Sequence, residues 1–387
     1  MWTAVVLSSH SRETGGADHG HCWDAKRMRI VHVVGARPNF MKAAPVLRAL
    51  QRSPEVGQVL VHTGQHYDAN MSEVFFAELG IPEPDLNLQV GSGSHAQQTA
   101  AIMTGFEPIV LEKRPDMVLV YGDVNSTVAA ALVCAKLLVP VAHIEAGLRS
   151  FDRTMPEEIN RIVTDQLADL LLTPSLDGNE NLAREGISEH RIRFVGNVMI
   201  DTLVRLLPRA QSKLPDDLPP RYVLVTMHRP ANVDDSIFLR ELLQTLDEIS
   251  HEIPVIFPVH PRTRQRIADL GISFSCTARM RLTEPLSYLQ FLGLQTRATM
   301  VISDSGGIQE ETTYLGVPCL TVRENTERPV TITVGTNVLV GRNMVRLGDE
   351  VRKILKGGRK ASGIPPLWDG HAAERIAAAL VNWRPAS

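Results

Sequence analysis

Short apolar runs recur along the chain, and most are followed by a turn and then a longer pattern with helical periodicity. The runs are RIVHVV, QVLVHT, MVLVYG, PVAHIE, DLLLTP and IRFVG in the first half, then YVLVTM, PVIFPV, RMRLTE, TMVIS, PCLTV and NVLVG in the second. Their apolar character is continuous rather than alternating, as in parallel strands that are buried on both faces. Two such series predict an α/β fold with two Rossmann-like, doubly wound parallel-sheet domains that face a central cleft.

The proline-rich, polar stretch PRAQSKLPDDLPPR separates the two series and is the best candidate for a linker. The strand-like run MRIVHVV, which begins at Met28, marks the predicted start of the fold. The predicted division is a loosely ordered extension over 1–27, an N-terminal Rossmann-like domain over 28–205, a linker over 206–221, a C-terminal Rossmann-like domain over 222–368 and a terminal helix over 369–387.

Composition and charge narrow the range of partners. The chain has 387 residues, of which 44% are hydrophobic, and a formal net charge of −3, so no global field favours nucleic acid or an anionic membrane. No apolar run reaches the roughly 18 residues that a membrane-spanning helix requires. The four cysteines are far apart, without CxxC or zinc-type spacing, which indicates reduced thiols in a cytoplasmic protein and no metal site.

Polar residues follow nearly every predicted strand, at the edge of a parallel sheet where ligands bind. Any single one could be a solvated turn or a cap. Together they predict a site in the cleft between the domains. They include Arg37, Lys42, Asp123, Glu145, His228, His260, Ser305 and Arg328.

The stretch SDSGGIQEETTYLG, which follows the run TMVIS, has the features of an anion-binding helix start. Ser305 suits an N-cap, and Gly306 and Gly307 would let a phosphate approach backbone N–H groups. One of Glu310 and Glu311 is expected to stabilise the helix dipole, and the other could accept hydrogen bonds from ribose hydroxyls.

A second glycine turn, GARPNFMKAAP, carries Arg37 as a candidate phosphate donor, with a surface ion pair as the alternative. Neither GxGxxG nor GxxxxGK[ST] is present there, so the sequence does not support a bound NAD or an NTP-hydrolysing loop.

Acidic residues supply candidate proton-transfer groups. Asp123 and Glu145 each follow a strand, and Glu157 lies in the first turn of a predicted helix, four residues before Arg161, where an ion pair within the helix is the alternative role. Three acidic sites near one cleft are expected to raise each other's pKa values, as acid–base chemistry requires. His228 and His260 are expected to contact the ligand.

These motifs resemble the non-hydrolysing UDP-N-acetylglucosamine 2-epimerases, and the resemblance extends from about residue 28 to residue 380. The shared motifs are GARPNFMKAAPV, HTGQH, GDVNST, HIEAGLRS, PEEINR, GNVMID, HRP, PVHPRTR, SDSGGIQEE, LGVPCL and TERPVTITVGTNVLVG. The resemblance implies the two-domain glycosyltransferase-B architecture and a homodimer. It also implies interconversion of UDP-GlcNAc and UDP-ManNAc without a cofactor.

Roles for individual residues follow from the resemblance. Elimination of UDP would give 2-acetamidoglucal, to which UDP adds back after protonation on the opposite face. The positions that match the family's catalytic residues are Asp123, Glu145, Glu157 and His228. Those that match its substrate-binding motifs are Arg37, Lys42, Arg161, His260, Ser305, Gly306, Gly307, Glu311 and Arg328, with Ser305 expected on phosphate and Glu311 on ribose.

Other functions share much of this pattern. HTGQHYDANMSEVFF is similar to relatives that epimerise UDP-2,3-diacetamido-glucuronic acid, whereas IQEET and NTERPV are similar to the GlcNAc branch, which we favour. A glycosyltransferase would use the same UDP-binding site, since fold alone does not determine function. A nucleotide-sugar sensor and a hydrolysing epimerase that releases free ManNAc are further alternatives.

Overall fold

The computed structural model describes residues 27–65, 80–271, 279–358 and 360–384, and the predicted extension over 1–27 lies outside them except for its last residue. The first half of the chain forms a seven-stranded sheet. Its strands are β1 (Met28–Val34), β2 (Val56–His62), β3 (Leu86–Asn87), β4 (Met117–Tyr121), β5 (Val141–Ile144), β6 (Leu170–Thr173) and β7 (Ile192–Phe194).

The helices described in this half connect its strands, with a short 3₁₀ turn at Glu189–Arg191. They are α1 (Arg37–Leu50), α2 (His95–Lys113), α3 (Asn125–Leu137), α4 (Pro156–Leu167), α5 (Leu176–Arg184) and α6 (Val198–Gln211).

The second half forms a six-stranded sheet. Its strands are β8 (Val223–Thr226), β9 (Val255–Pro258), β10 (Met280–Thr283), β11 (Met300–Ser303), β12 (Cys319–Thr321) and β13 (Asn337–Leu339). Its helices are α7 (Pro230–Val233), α8 (Ser236–Glu252), α9 (Pro261–Asp269), α10 (Tyr288–Arg297), α11 (Gly306–Leu315), α12 (Val330–Thr333) and α13 (Met344–Leu355), and the chain continues to α14 (Ala372–Val381).

Both sheets are parallel and have the same winding. The first runs β3-β2-β1-β4-β5-β6-β7 and the second β10-β9-β8-β11-β12-β13. All strand pairs within the described ranges are parallel. In the first sheet the strands before β4 extend toward one edge and those from β4 onward toward the other, so the direction of winding reverses between β1 and β4. The second sheet reverses in the same way between β8 and β11. Open α/β sheets bind ligands at such points. The predicted fold class, two doubly wound domains in the glycosyltransferase-B arrangement, is confirmed.

Burial of the strands on both faces explains why their sequences are continuously apolar. All five residues of β4 and all four of β11 are buried. Helices cover each sheet, and apolar clusters fill the space between the layers. No helix of the described ranges is long and apolar enough to cross a membrane.

Two helices lie at the predicted domain limits. Helix α6 continues to Gln211, six residues into the segment predicted as a linker, because Leu206 and Ala210 are buried in the core. Asp201 on α6 accepts hydrogen bonds from the backbone N–H groups of Ala372 and Ala373, which fixes the start of α14. The division into domains stays a prediction, with the linker shortened at its start.

Candidate active site

A cleft with a volume of ≈ 440 Å³ opens where the carboxyl ends of the two sheets meet. Side chains from both halves of the chain line it. Eight residues predicted from the sequence are among them, namely Arg37, Lys42, His228, His260, Ser305, Gly307, Glu311 and Arg328. The structure therefore brings most of the predicted substrate-binding residues to one surface.

Asp123 and Glu157 line a second cavity, of ≈ 250 Å³, on the side of the first sheet. Asp123 follows β4, and Glu157 lies in the first turn of α4. The rest of the wall is rich in polar side chains: Gln65, which follows a predicted strand, and five residues that the sequence analysis did not select, namely Ser92, His95, Gln98, Asn125 and Asn160. Two of the predicted catalytic carboxylates therefore share a polar cavity beside the main cleft.

Glu145 connects the two halves of the site. Its side chain contacts Lys42 of α1, and its Oε1 lies 3.1 Å from Nη2 of Arg328, which comes from the second half of the chain. The backbone of Glu145 has a φ of 74°, in the left-handed region that non-glycine residues rarely adopt. Such strain persists where surrounding structure enforces it, often at functional sites.

Two glycines make room for this ion-pair cluster. A Cβ at Gly122 would lie 2.6 Å from Nζ of Lys42, and a Cβ at Gly306 would lie 2.5 Å from Nη1 of Arg328. A Cβ at Gly307 would instead find its nearest neighbour, Cε of Met199, at 3.9 Å. Gly306 thus accommodates a guanidinium group of the protein itself, whereas Gly307 borders the cleft.

Arg328 is the centre of the cluster. Its guanidinium contacts Glu145, Glu310 and Glu327, with Nε 2.7 Å from Oε1 of Glu310. Burial opposes the charge, but the three carboxylates outweigh it and raise the pKa of Arg328 well above its ordinary value. Arg328 was predicted from the sequence, whereas the roles of Glu310 and Glu327 as its partners were missed.

The expectation that clustered acids raise each other's pKa values is wrong for Asp123. Burial by itself would raise the pKa of Asp123, but Arg161, Lys42 and Arg328 lower it below its ordinary value. Nη2 of Arg161 lies 2.8 Å from Oδ2 of Asp123. Cations interleaved between the acids therefore keep Asp123 ionised.

Arg161 also shows which glutamate of PEEINR is structural. Its Nη1 contacts Glu158, and Glu158 accepts hydrogen bonds of 2.9 Å from the backbone N–H groups of Ser150 and Phe151. Glu158 is 1% exposed, whereas Glu157 is exposed and faces the smaller cavity. The ion pair within this helix therefore joins Arg161 to Glu158, and Glu157 is the glutamate placed for ligand contact.

His228 lies in the cleft wall and is oriented by a residue that the sequence analysis missed. Its Nδ1 is 2.9 Å from Oδ1 of Asp304, which is fully buried. Asp304 also accepts hydrogen bonds from the backbone N–H of Arg229 and from Nδ2 of Asn232, both at 3.0 Å. Burial opposes its ionisation, but His228 and these donors lower the pKa of Asp304.

Helix α11 begins as predicted, but its first turn is used differently. Ser305 occupies the N-cap position, yet its side chain makes no capping hydrogen bond. Neither glutamate stabilises the helix start, because Glu310 pairs with Arg328 and Glu311 accepts a 2.9 Å hydrogen bond from the hydroxyl of Tyr288. Burial raises the pKa of Glu311 to about 7. Glu311 therefore reaches the cleft beside Tyr288, which the sequence analysis did not select.

One part of the cleft wall is apolar. It is formed by Pro285, Leu286 and Phe291, which lie near Tyr288 and Glu311 in the same cleft. The cations Lys42 and Arg328 and the start of α11 belong to the rest of the wall. The cleft thus combines an apolar surface with cationic and helix-terminal groups, as a ligand with a flat ring and phosphates requires.

The chain is similar to known proteins over most of its length. The family model described as UDP-N-acetylglucosamine 2-epimerase matches residues 48–381. The UDP-N-acetylglucosamine 2-epimerase of Methanocaldococcus jannaschii is 40% identical over 364 residues, which are 90% of this chain and 98% of that protein. The UDP-2,3-diacetamido-2,3-dideoxy-D-glucuronate 2-epimerase of Pseudomonas aeruginosa is 42% identical over 359 residues, with 92% and 100% coverage.

A solved structure is similar over the same extent. The crystal structure of the Methanocaldococcus jannaschii UDP-GlcNAc 2-epimerase, in complex with UDP-GlcNAc and UDP, has a TM-score of 0.84 and 39% sequence identity. The match covers 92% of this chain and all of that one. On its sequence, its two-sheet fold and the extent of these matches, the chain belongs to the UDP-N-acetylglucosamine 2-epimerase family.

Proposed function

We propose that the protein is a non-hydrolysing UDP-GlcNAc 2-epimerase that interconverts UDP-GlcNAc and UDP-ManNAc without a cofactor. The observation that carries the proposal is the position of Glu145, in contact with two cations of the cleft wall. A proton-transfer group thereby lies next to groups that suit a diphosphate. A relative that is 40% identical carries the same activity in its name, which supports the proposal.

The UDP moiety is proposed to lie along the main cleft. Its uracil ring would pack on the apolar wall at Leu286 and Phe291, and the ribose hydroxyls would donate hydrogen bonds to Glu311. The diphosphate would lie between the start of α11, at Ser305 and Gly307, and the cations. The related Methanocaldococcus enzyme was crystallised with UDP-GlcNAc and UDP, which supports this class of ligand.

The chemistry must overcome the low acidity of the C2 hydrogen, which is not next to a carbonyl group. Loss of this proton together with departure of UDP from C1 avoids a free carbanion and gives 2-acetamidoglucal and UDP. Protonation of C2 on the other face and return of UDP to C1 complete the epimerisation. Asp123, Glu145 and Glu157 are proposed to transfer protons or to stabilise positive charge at C1, and His228 to bind the departing diphosphate.

A second candidate substrate is UDP-2,3-diacetamido-glucuronic acid, which is favoured by the 42% identity to the Pseudomonas enzyme. Its uronate carboxylate would need a cationic partner. No lysine or arginine lines the cavity of Asp123 and Glu157 among the described residues. His95 is the basic side chain of the described wall, and its Nδ1 already lies 3.3 Å from Oδ1 of Asn125, so an uncharged hexosamine is the better match to this cavity.

Proton NMR of the purified full chain with UDP-GlcNAc in D₂O, without NAD, tests the proposal. We expect UDP-ManNAc with deuterium at C2, approaching a fixed ratio to UDP-GlcNAc, and a strong reduction of the rate in Asp123→Asn. Free ManNAc and UDP as the products would instead identify a hydrolysing enzyme. Unchanged UDP-GlcNAc together with turnover of the diacetamido-uronate would establish the second candidate, and inertness toward both would contradict epimerase function.

We also propose that the enzyme is a cytoplasmic homodimer, as the family resemblance implies. Size-exclusion chromatography with light scattering on the full chain tests the oligomeric state. A mass near twice the chain's 42.7 kDa is expected, and a single-chain mass at micromolar concentration would contradict the dimer.

A further inference from the structure

The Glu145 carboxylate lies between two cations that come from opposite sides of the cleft. Lys42 contacts Oε2, and Nη2 of Arg328 lies 3.1 Å from Oε1. All three residues are less than a tenth exposed. Each oxygen of the carboxylate therefore has a cationic partner in this structure.

The two cations stand between the cleft and the carboxylate. Lys42 and Arg328 belong to the wall of the main cleft, and Glu145 lies behind them. Diphosphate oxygens accept strong hydrogen bonds from both ammonium and guanidinium groups. The start of α11 lies beside Arg328, since a Cβ at Gly306 would be 2.5 Å from Nη1. An anionic ligand seated there would compete with Glu145 for both cations.

We propose that the side chains of Lys42 and Arg328 exchange partners when a UDP-sugar binds: they leave Glu145 and bind the diphosphate. The proposal rests on the proposed function. The diphosphate takes hydrogen bonds from both cations, and Glu145, left with weaker ion pairs, binds one proton from the solvent. No covalent bond of the ligand changes at this step. Binding of the substrate thus converts Glu145 from an ion-pair partner into a group that can exchange a proton with the sugar.

Two other acids near the cations keep partners of their own during such an exchange. Glu327 has a second cation, because Nη2 of Arg323 lies 2.7 Å from its Oε2. Asp123, which is influenced by Lys42 and Arg328, keeps Arg161 at 2.8 Å. These two carboxylates are therefore expected to stay ionised when the diphosphate binds.

Glu310 is the carboxylate that competes with Glu145 for the proton. Its Oε1 lies 2.7 Å from Nε of Arg328 and accepts a 2.9 Å hydrogen bond from Nδ2 of Asn197. Its Oε2 is buried and has no hydrogen-bond partner among the described residues. Glu310 is also buried and contacts the same guanidinium, so Glu310→Gln is the matched control for Glu145→Gln.

Proton uptake on substrate binding tests the exchange. The full chain is mixed with saturating UDP-GlcNAc in weakly buffered solution near neutral pH, and a pH indicator records the protons taken up per site. Each phosphate of UDP-GlcNAc has one ester bond, one anhydride bond and a single strongly acidic hydroxyl, which is fully ionised near neutral pH. Epimerisation releases no net proton, so the signal comes from the protein. Isothermal titration calorimetry measures binding separately for the wild type and for each variant.

The expected result is uptake of a substantial fraction of one proton by the wild type, which is lost in Glu145→Gln and retained in Glu310→Gln. Binding of UDP-GlcNAc by the wild type without proton uptake would overturn the exchange while leaving the proposed function intact. The same would hold if the uptake were lost in Glu310→Gln instead of Glu145→Gln. Failure of the wild type to bind UDP-GlcNAc at all would contradict the proposed function and therefore also the exchange.

Affinity for UDP gives a second readout that does not depend on turnover. If the cations are shared, Glu145→Gln removes a competitor of the diphosphate, and the Kd for UDP should fall by on the order of tenfold. If the cluster only ties the two halves of the chain together, the same substitution should leave the Kd unchanged or raise it. The latter result would overturn the exchange.

Discussion

Nδ1 of His228 lies 2.9 Å from Oδ1 of Asp304, and the two side chains differ sharply in exposure, at 57% for His228 and 0% for Asp304. A carboxylate accepts a hydrogen bond from Nδ1–H of the imidazole, which leaves Nε2 available to a ligand in the cleft. Asp304 also holds the backbone of the segment that carries the histidine, through the N–H groups of His228 and Arg229. The buried carboxylate thus determines where the exposed ring points.

Replacement of Asp304 by Asn should lower kcat for UDP-GlcNAc epimerisation by about 10²-fold, the lower end of what a well-placed proton-transfer or charge-stabilising group contributes. The asparagine amide keeps one acceptor oxygen, but its NH₂ group would face the N–H donors that now bind the carboxylate of Asp304. His228 would then lose its fixed tautomer and orientation. Initial rates of UDP-ManNAc formation, measured by NMR with saturating substrate, check this value.

A positioning role for Asp304 is separated from a structural one by the double variant. If Asp304 acts through His228, then Asp304→Asn should have little further effect on kcat in a His228→Ala background. Additive losses in the double variant would show that Asp304 only stabilises the segment over 228–232. The thermal unfolding midpoints of all three variants show how much of each effect is due to folding.

Much of the fold could be predicted from the sequence because parallel strands that are buried on both faces must be continuously apolar. MVLVY and TMVIS belong to the central strands β4 and β11, and the polar residues after them lie at the sheet edge. The start of α11 at SDSGG followed from the same reasoning. The length of α6 was not predicted. This helix extends into a proline-containing stretch because its residues Leu206 and Ala210 are buried in the core.

The partners within the site could not be predicted, because they come from distant parts of the chain. Glu310 lies on α11 and its partner Arg328 follows β12, and Glu145 joins them from the other half of the protein. In the sequence, Glu310 looks like a helix-dipole residue, and Asp304 is one more polar residue after a strand. The only local signal for Asp304 was its position directly after β11, at the edge where ligands bind.

The adjacent glutamates Glu157 and Glu158 should respond in opposite ways to the same substitution. Glu157→Gln removes an exposed carboxylate of the smaller cavity, so kcat should fall by about 10²-fold or more. Its unfolding free energy should stay within about 0.5 kcal/mol of the wild type. Glu158→Gln breaks a buried ion pair with Arg161 and should cost about 3 kcal/mol of stability. NMR rates and urea unfolding check both, and a stable Glu158→Gln or a fully active Glu157→Gln would contradict the assignment.

The two glycines of SDSGG should also differ. Gly306→Ala places a methyl group 2.5 Å from Nη1 of Arg328, whose guanidinium is held by three carboxylates and cannot move without breaking an ion pair. We expect the KM for UDP-GlcNAc to rise roughly tenfold or more, the effect of losing about 1.4 kcal/mol of binding. Gly307→Ala, whose methyl group has no neighbour nearer than 3.9 Å, is the control and should change KM by less than about threefold. Equal effects of the two substitutions would show that the diphosphate, rather than Arg328, requires both glycines.

Glu311 should make the stability of the protein depend on pH below neutrality. Burial raises its pKa to about 7 from an ordinary value of 4.5, so between these values the folded chain holds a proton that the unfolded chain has lost. The contribution of Glu311 to stability is therefore greatest below about pH 4.5, falls by about 3 kcal/mol as the pH rises to about 7, and is level above that.

Glu311→Gln cannot titrate, so the urea midpoint of the wild type should fall relative to this variant across the same range. Loss of the Tyr288 hydrogen bond in the variant shifts its urea midpoint by the same amount at every pH, so the change of the difference with pH is unaffected. Glu157→Gln removes an exposed carboxylate, so its urea midpoint should change with pH in the same way as that of the wild type. A constant difference between wild type and Glu311→Gln from pH 4.5 to pH 7.5 would show that Glu311 is already ionised throughout this range, with a cation rather than a proton balancing its charge.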